Sequence, residues 1–223
     1  AKIEGEGLWA GVHGTAAPAT WNGWQLSGLA RLGVFKADMN RSIHAGSYNR
    51  SAESDWTQFS GTAVAHVGYK LPVGDKRFTL LPFAGADYAL LHQPSISEDK
   101  GEAARLKTDS QTYQSLRAVF GLKAETAEQD TASAGYTWRG NATLAYNREL
   151  LSHAGNTEAR FIEMNGDFMT DVRFATRSSV STSAGVSLTS SKGTTLDFQL
   201  TSEFAPGHGT SVGGFGRVSW PFQ

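Results

Sequence analysis

Apolar and polar residues alternate one by one along stretch after stretch of this 223-residue chain, in segments longer than the strands of ordinary globular proteins. A period of two sends successive side chains to opposite faces of a strand, so each stretch has an oily face and a wet one. The segment 136–147 is the clearest. Tyr136, Trp138, Gly140, Ala142, Leu144 and Tyr146 fall on one face, and Thr137, Arg139, Asn141, Thr143 and Asn147 on the other, with Ala145 the one apolar residue among them. In 59–71, Phe59, Gly61, Ala63, Ala65, Val67, Tyr69 and Leu71 oppose Ser60, Thr62, His66 and Lys70. Towards the C-terminus, Val180, Ala184, Val186 and Leu188 oppose three serines. Leu196, Phe198, Leu200 and Phe204 oppose Asp197, Gln199 and Glu203, and Val212, Val218, Trp220 and Phe222 oppose Arg217 and Ser219. Weaker alternation runs through 24–36, 78–91, 113–123 and 5–14, giving about nine strands at roughly ten residues per membrane crossing.

Composition narrows what such strands can build. Lys and Arg number 20 against 21 Asp and Glu, so the chain lacks the basic footprint of a nucleic-acid binder. With no Cys, it has no disulfide framework, Cys-ligated zinc, iron–sulfur cluster or thiol nucleophile. No apolar run reaches the roughly 18 residues of a membrane-spanning helix. A mean hydropathy of −0.33 is still compatible with a membrane β-barrel, whose two faces average out in any hydropathy window.

Each polar face carries residues that a dry core rejects: Arg31, His66, Lys70, Asp87, Arg117, Arg139, Asp197, Glu203 and Arg217. In a β-sandwich that side meets solvent; in a barrel it lines the lumen. Alternation alone does not choose between them. Strand length and the aromatics at strand ends favour the barrel, with Phe59, Tyr69, Tyr136, Trp138, Tyr146, Phe198 and Trp220 as lipid-facing or girdle residues. The connections agree: 37–55, 92–105 and 152–173 read as long polar linkers, whereas 71–77 and 189–193 are short and carry Gly or Pro. The linker 124–134 is longer than a strict long–short rhythm predicts. Segment 161–173 fits either a hairpin arm or a short helix.

The stretches Gly61 to Lys70, Leu81 to Tyr88, Gln114 to Lys123, Ser183 to Leu188 and Gly214 to Phe222 together resemble the C-terminal translocator domain of bacterial autotransporters, the type V secretion systems. That resemblance implies an all-β, antiparallel, up-and-down transmembrane barrel in the bacterial outer membrane. It would anchor and export the chain's own passenger polypeptide, with outer-membrane lipid and the barrel-assembly machinery as further partners. It also implies twelve strands and an N-terminal helix threading the lumen. Against that, nine to ten strands in residues 1–223 lead us to expect a barrel domain lacking the linker helix and first strands. The alternative is that 161–173 or another loop adds a strand and closes a smaller barrel of about ten. Val218, Trp220 and Phe222 are similar to the family's C-terminal assembly signal, although Pro221 interrupts it and Gln223 follows it.

Nothing in the sequence indicates an enzyme or a cofactor. The six histidines have no metal-ligand spacing, and there is no phosphate loop, nucleophile elbow or His-Glu-x-x-His. Gly5 to Ala10 matches a relaxed dinucleotide fingerprint by chance, since no strand–helix unit surrounds it. Two competing readings are a porin or adhesin barrel whose loops bind a ligand, and a soluble β-sandwich binding module.

Overall fold

The computed structural model describes residues 2–46, 48–74, 77–131, 135–151, 154–163, 167–173, 177–207 and 209–221. In chain order the strands begin with β1 (Lys2–Ala16), β2 (Trp24–Ala45), β3 (Tyr48–Tyr69), β4 (Leu71–Val73) and β5 (Phe78–Gln93). The middle of the chain forms β6 (Ile96–Ser97), β7 (Leu106–Thr108), β8 (Gln111–Thr126), β9 (Gln129–Thr131) and β10 (Tyr136–Glu149). The last are β11 (Ala154–Phe161), β12 (Asp167–Arg173), β13 (Ser178–Ser190), β14 (Thr195–Ala205) and β15 (Gly209–Ser219). Among the described residues the only helical turns are short 3-10 segments at Ala19–Trp21 and Glu102–Ala104.

The nine long strands pair antiparallel with sequence neighbours in the order β1-β2-β3-β5-β8-β10-β13-β14-β15. The short β4 and β9 pair with β5 and β10. The sheet curls into a half-barrel whose two edges are β1 and β15. Along most of β2 and β3 alternate residues are less exposed than their neighbours, as expected where one face is concave. Glycine permits the tight turns at one end, where Gly74 and Gly193 adopt φ of +61° and +83°.

There is no dry core of the usual kind. Small residues dominate the few buried apolar positions, such as Ala37, Ala52 and Ala145, while Leu8, Leu32, Phe59, Leu144, Phe198, Leu200 and Val212 are well exposed on the convex face. Among the described residues no second sheet packs on that face, so the β-sandwich expectation is overturned. A sheet this oily on its outside needs a non-aqueous neighbour.

At the other end, β2 and β3 run past β5 as a 22-residue pair, in unbroken register from Trp24↔Tyr69 to Ala45↔Tyr48, with β1 alongside β2 as far as Lys2↔Asn40. The expected linker 37–55 is therefore mostly strand, with a turn at Gly46. The expected linker 92–105 holds the end of β5, the strand β6 and a helical turn, and 152–173 holds the hairpin of β11 and β12. A second sheet, ordered β12-β11-β7-β6, is joined to β3 by the Glu53↔Asp99 bridge. Since β6, β7 and β11 continue from β5, β8 and β10, this sheet and the β2–β3 extension together prolong the wall as a collar.

Candidate functional site

The concave face is a polar trough of about 800 Å³, lined from β1 to β15 by residues such as Thr15, Ser27, His66, Lys123, Asn141, Asp197 and Arg217. Its composition follows from register. Directly opposed residues share a face, so one inner row reads His13, Leu29, Val64, Asp87, Arg117 and Glu149 across six strands. The next reads Gly11, Arg31, Thr62, Ala89 and Ser115.

The charges in the trough are largely paired with one another. His66 Nε2 lies 2.7 Å from Asp87 Oδ1. Arg217 donates to Asp197 Oδ2 at 3.0 and 2.8 Å, and Ser187 Oγ donates to Asp197 Oδ1 at 2.5 Å. Arg139 pairs with Glu128, and Lys123 Nζ lies 2.6 Å from Glu125 Oε1. Glu149 accepts from Ser115 Oγ at 2.6 Å and from the Leu116 amide at 3.0 Å. Most notable is Arg117, whose Nη1 donates to Glu203 Oε1 at 3.0 Å although β8 and β14 are separated by β10 and β13. Small residues beneath this strap, Ala145, Ser179 and Ser181, leave it room. Asn147 donates to both serines, at 3.2 and 3.1 Å, and Ser179 donates to Glu203.

Eight of the nine expected lumen residues lie on the trough face by register: Arg31, His66, Asp87, Arg117, Arg139, Asp197, Glu203 and Arg217. Lys70 lies one residue past the end of β3, where its amide donates to Gly23 O at 2.9 Å. Of the expected outer aromatics, Phe59, Tyr69, Tyr136, Trp138, Tyr146 and Phe198 stand on the convex register, and Trp24 joins Tyr69 edge-on at 5.3 Å. Val218 is convex on β15, and Trp220 lies just beyond the strand; Phe222 and Gln223 fall outside the described residues.

On β1, β2 and β3 the convex face changes polarity at a single row. Leu8, Val34 and Phe59 are opposed in the last apolar row, and Glu6, Lys36 and Thr57 in the row above. From there upward the convex residues are polar, including Glu4, Asp38 and Asp55. The concave face changes in the opposite sense, from Arg31 and Thr62 to Trp9, Phe35 and Trp56. Arg31 lies over the Trp9 ring, 5.8 Å from its centroid. Phe35 lies against Gly7, where an added Cβ would sit 2.2 Å from the ring and force the ring to move.

The collar is held by Glu98, 2 % exposed, which accepts from Arg41 Nε at 2.8 Å, from Arg41 Nη2 at 2.5 Å and from the Leu106 amide at 2.8 Å. Arg41 also donates to Ala104 O. Donation to the Glu98 carboxylate, reinforced by its charge, raises the Arg41 pKa above the usual guanidinium value. Around this hub Lys100 pairs with Glu53 at 2.6 Å, Arg50 with Glu102 at 2.8 Å, and Arg105 with Glu163. Sequence reasoning missed Glu98. It sits among other charged residues, Asp99, Lys100 and Glu102, with nothing in the sequence to single it out, and its partner is 57 residues away.

Among the described residues no three His, Asp or Glu side chains converge in a way that would hold a metal ion. The chain matches the family model described as autotransporter beta-domain over residues 1–201. It is similar in structure to the translocator domain of autotransporter NalP from Neisseria meningitidis. That match has 20% identity and a TM-score of 0.66, covering 99% of this chain and 68% of that one. No curated protein matches.

Proposed function

The chain belongs to the autotransporter β-domain family, and from that premise we propose that its polar trough is the wall of the route by which the passenger polypeptide leaves the cell. Membership makes the chain a transport module of the bacterial outer membrane that exports a linked passenger domain. The finer reading assigns roles to the faces. Arg31, His66, Asp87, Arg117, Arg139, Asp197, Glu203 and Arg217 line the route, with Lys70 at its turn-bearing end. Phe59, Tyr69, Tyr136, Trp138, Tyr146, Phe198 and Trp220 meet lipid or its interfaces, and Val218, Trp220 and Phe222 are offered to the barrel-assembly machinery.

The observation that carries this reading is the pairing of a convex apolar band with a concave face of self-compensated charges. From Phe59 to Tyr69 the band runs ten residue steps, or ~34 Å along a strand and ~26 Å across a membrane at a tilt near 40°, close to the height of outer-membrane barrel bands. Internally paired charges give a sliding polypeptide no single-sign trap. Short turns at one end and the collar at the other orient the collar outward.

The open edges support a further part of the proposal. Neighbouring strands alternate in direction, so β1 and β15, first and ninth on the path, run the same way. Direct closure would need a parallel ladder, whereas an odd number of additional strands from a longer chain closes the barrel antiparallel throughout. The test is to express the longer chain with its passenger and follow protease accessibility of the passenger on intact cells. Surface exposure that disappears when residues 1–223 are removed is expected; exposure that persists refutes the reading.

A further inference from the structure

We propose that the inner wall of the collar is a docking surface for apolar side chains of the exported polypeptide as it leaves the trough. The proposal rests on the translocator reading, which brings an extended chain to this wall.

The inversion of polarity is the first support. Below the boundary row the sheet is oily outside and wet inside, as a barrel wall in lipid must be. Above it the outside is charged, with Glu4, Glu6, Lys36 and Asp38, while the inside gathers Ile3, Phe35, Met39 and Trp56; Trp9 and Tyr113 begin this apolar wall in the inner row just below the last apolar outer row. Water on both sides would favour polar residues on both, so an apolar inner wall outside the membrane requires something to cover it. Partial cover is already present higher up, where the tip carrying Gly101 turns inward onto Ala52, which is fully buried. That tip leaves Ile3 and Trp9 at 63% and 61% exposure.

Continuity selects the occupant. Trp9, Gly33, Ser60, Leu91 and Tyr113 form the inner row directly above Gly11, Arg31, Thr62, Ala89 and Ser115 of the trough. A polypeptide following the paired charges therefore meets this aromatic row next, before it has folded and while its own apolar side chains are bare. Phe35 lies one inner row further out and Trp56, on the adjacent strand, two rows further out, so a strand-like chain can present alternate side chains to successive rows.

The test uses the full-length protein with its passenger in its native membrane. A photo-reactive benzoylphenylalanine is placed at Phe35, at Trp56, and at Lys36, which neighbours Phe35 but faces outward. Adducts with the passenger are expected during export at the first two positions and not at Lys36. In the double variant F35S/W56S the passenger should reach the surface more slowly by pulse-chase protease accessibility, and F35L/W56L should restore the rate. At Phe35 and Trp56 the photo-reactive substitutions keep an aromatic and need no destabilised variant. Export without adducts at Phe35 or Trp56 overturns the proposal and leaves the translocator reading intact, as do adducts formed only with a second copy of the barrel. A passenger that never reaches the surface in the unsubstituted protein overturns both.

Discussion

A residue's face in this sheet decides what its replacement costs. Ala63 and Ala142 stand mid-strand on the convex face, opposite Ala30 and Tyr88 and opposite Ala184 and Ala124 respectively. Arginine at either is expected to cost about 2–4 kcal/mol in folding titrations into lipid, while Arg at the adjacent concave Thr62 costs much less. Equal penalties at Ala63 and Thr62 would reverse the assignment of inside and outside. Glu98 poses the opposite problem, a buried charge satisfied from several directions. Glu98→Ala leaves Arg41 without its main partner and should loosen the collar by about 3–5 kcal/mol, the usual penalty for breaking one side of a buried pair. The loss should be local, seen as faster amide exchange and proteolysis in 94–110 with the trough strands unchanged. The Arg117–Glu203 strap is about a third exposed at both ends, so a double-mutant cycle should return only about 0.2–1 kcal/mol. Residue faces were legible from alternation alone wherever the convex side is apolar. Glu98 was not, because its environment is assembled from segments far apart in the chain.

The element that sequence reasoning misread most is the long hairpin. Its alternation does not stop at residue 36; it changes phase. Apolar residues occupy even positions through Leu26, Leu32 and Val34, then odd ones at Phe35, Ala37 and Met39, so Val34 and Phe35 adjoin and the pattern looks terminated. The same slip occurs on β3 between Trp56 and Phe59. The cause is physical: the oily medium is outside the wall below the boundary row and absent above it, so the strand continues while its environment inverts. Segment 161–173 fits either a hairpin arm or a short helix by its sequence, and its strand β12 pairs with β11 as a hairpin arm. The collar's ion pairs also set its response to pH. The hydrogen bond and charge of Glu53 raise the Lys100 pKa above its ordinary 10.5, so this pair contributes fully below that value and is lost as pH rises through the higher folded value. Docking of the tip, followed by Trp56 fluorescence, should therefore hold across neutral pH and weaken only in strong alkali. Weakening between pH 7 and 9 would contradict the pairing.

For the molecule as a whole, nine strands, their order and their antiparallel pairing could be anticipated from counting alternating stretches, because each strand pairs with its neighbour along the chain. The collar could not, since it depends on which strands extend past their neighbours. The two open edges carry a prediction. Residues 1–223 folded in detergent should associate as concentration rises, through β1 and β15, whereas a longer chain that supplies the closing strands should be monodisperse. Sedimentation of both species checks this, and a monodisperse isolated segment would argue against unsatisfied edges. The boundary row at Glu6, Lys36 and Thr57 has one more consequence. It fixes the thickness of membrane that the wall can span without strain, at ~26 Å, some ~4 Å short of an average hydrocarbon core. In a thicker bilayer the charged row would be drawn toward the acyl chains or the lipid forced to thin. Either adjustment costs fractions of a kcal/mol per Å around the whole perimeter, so the row also acts as a sorting mark for the thinner outer membrane.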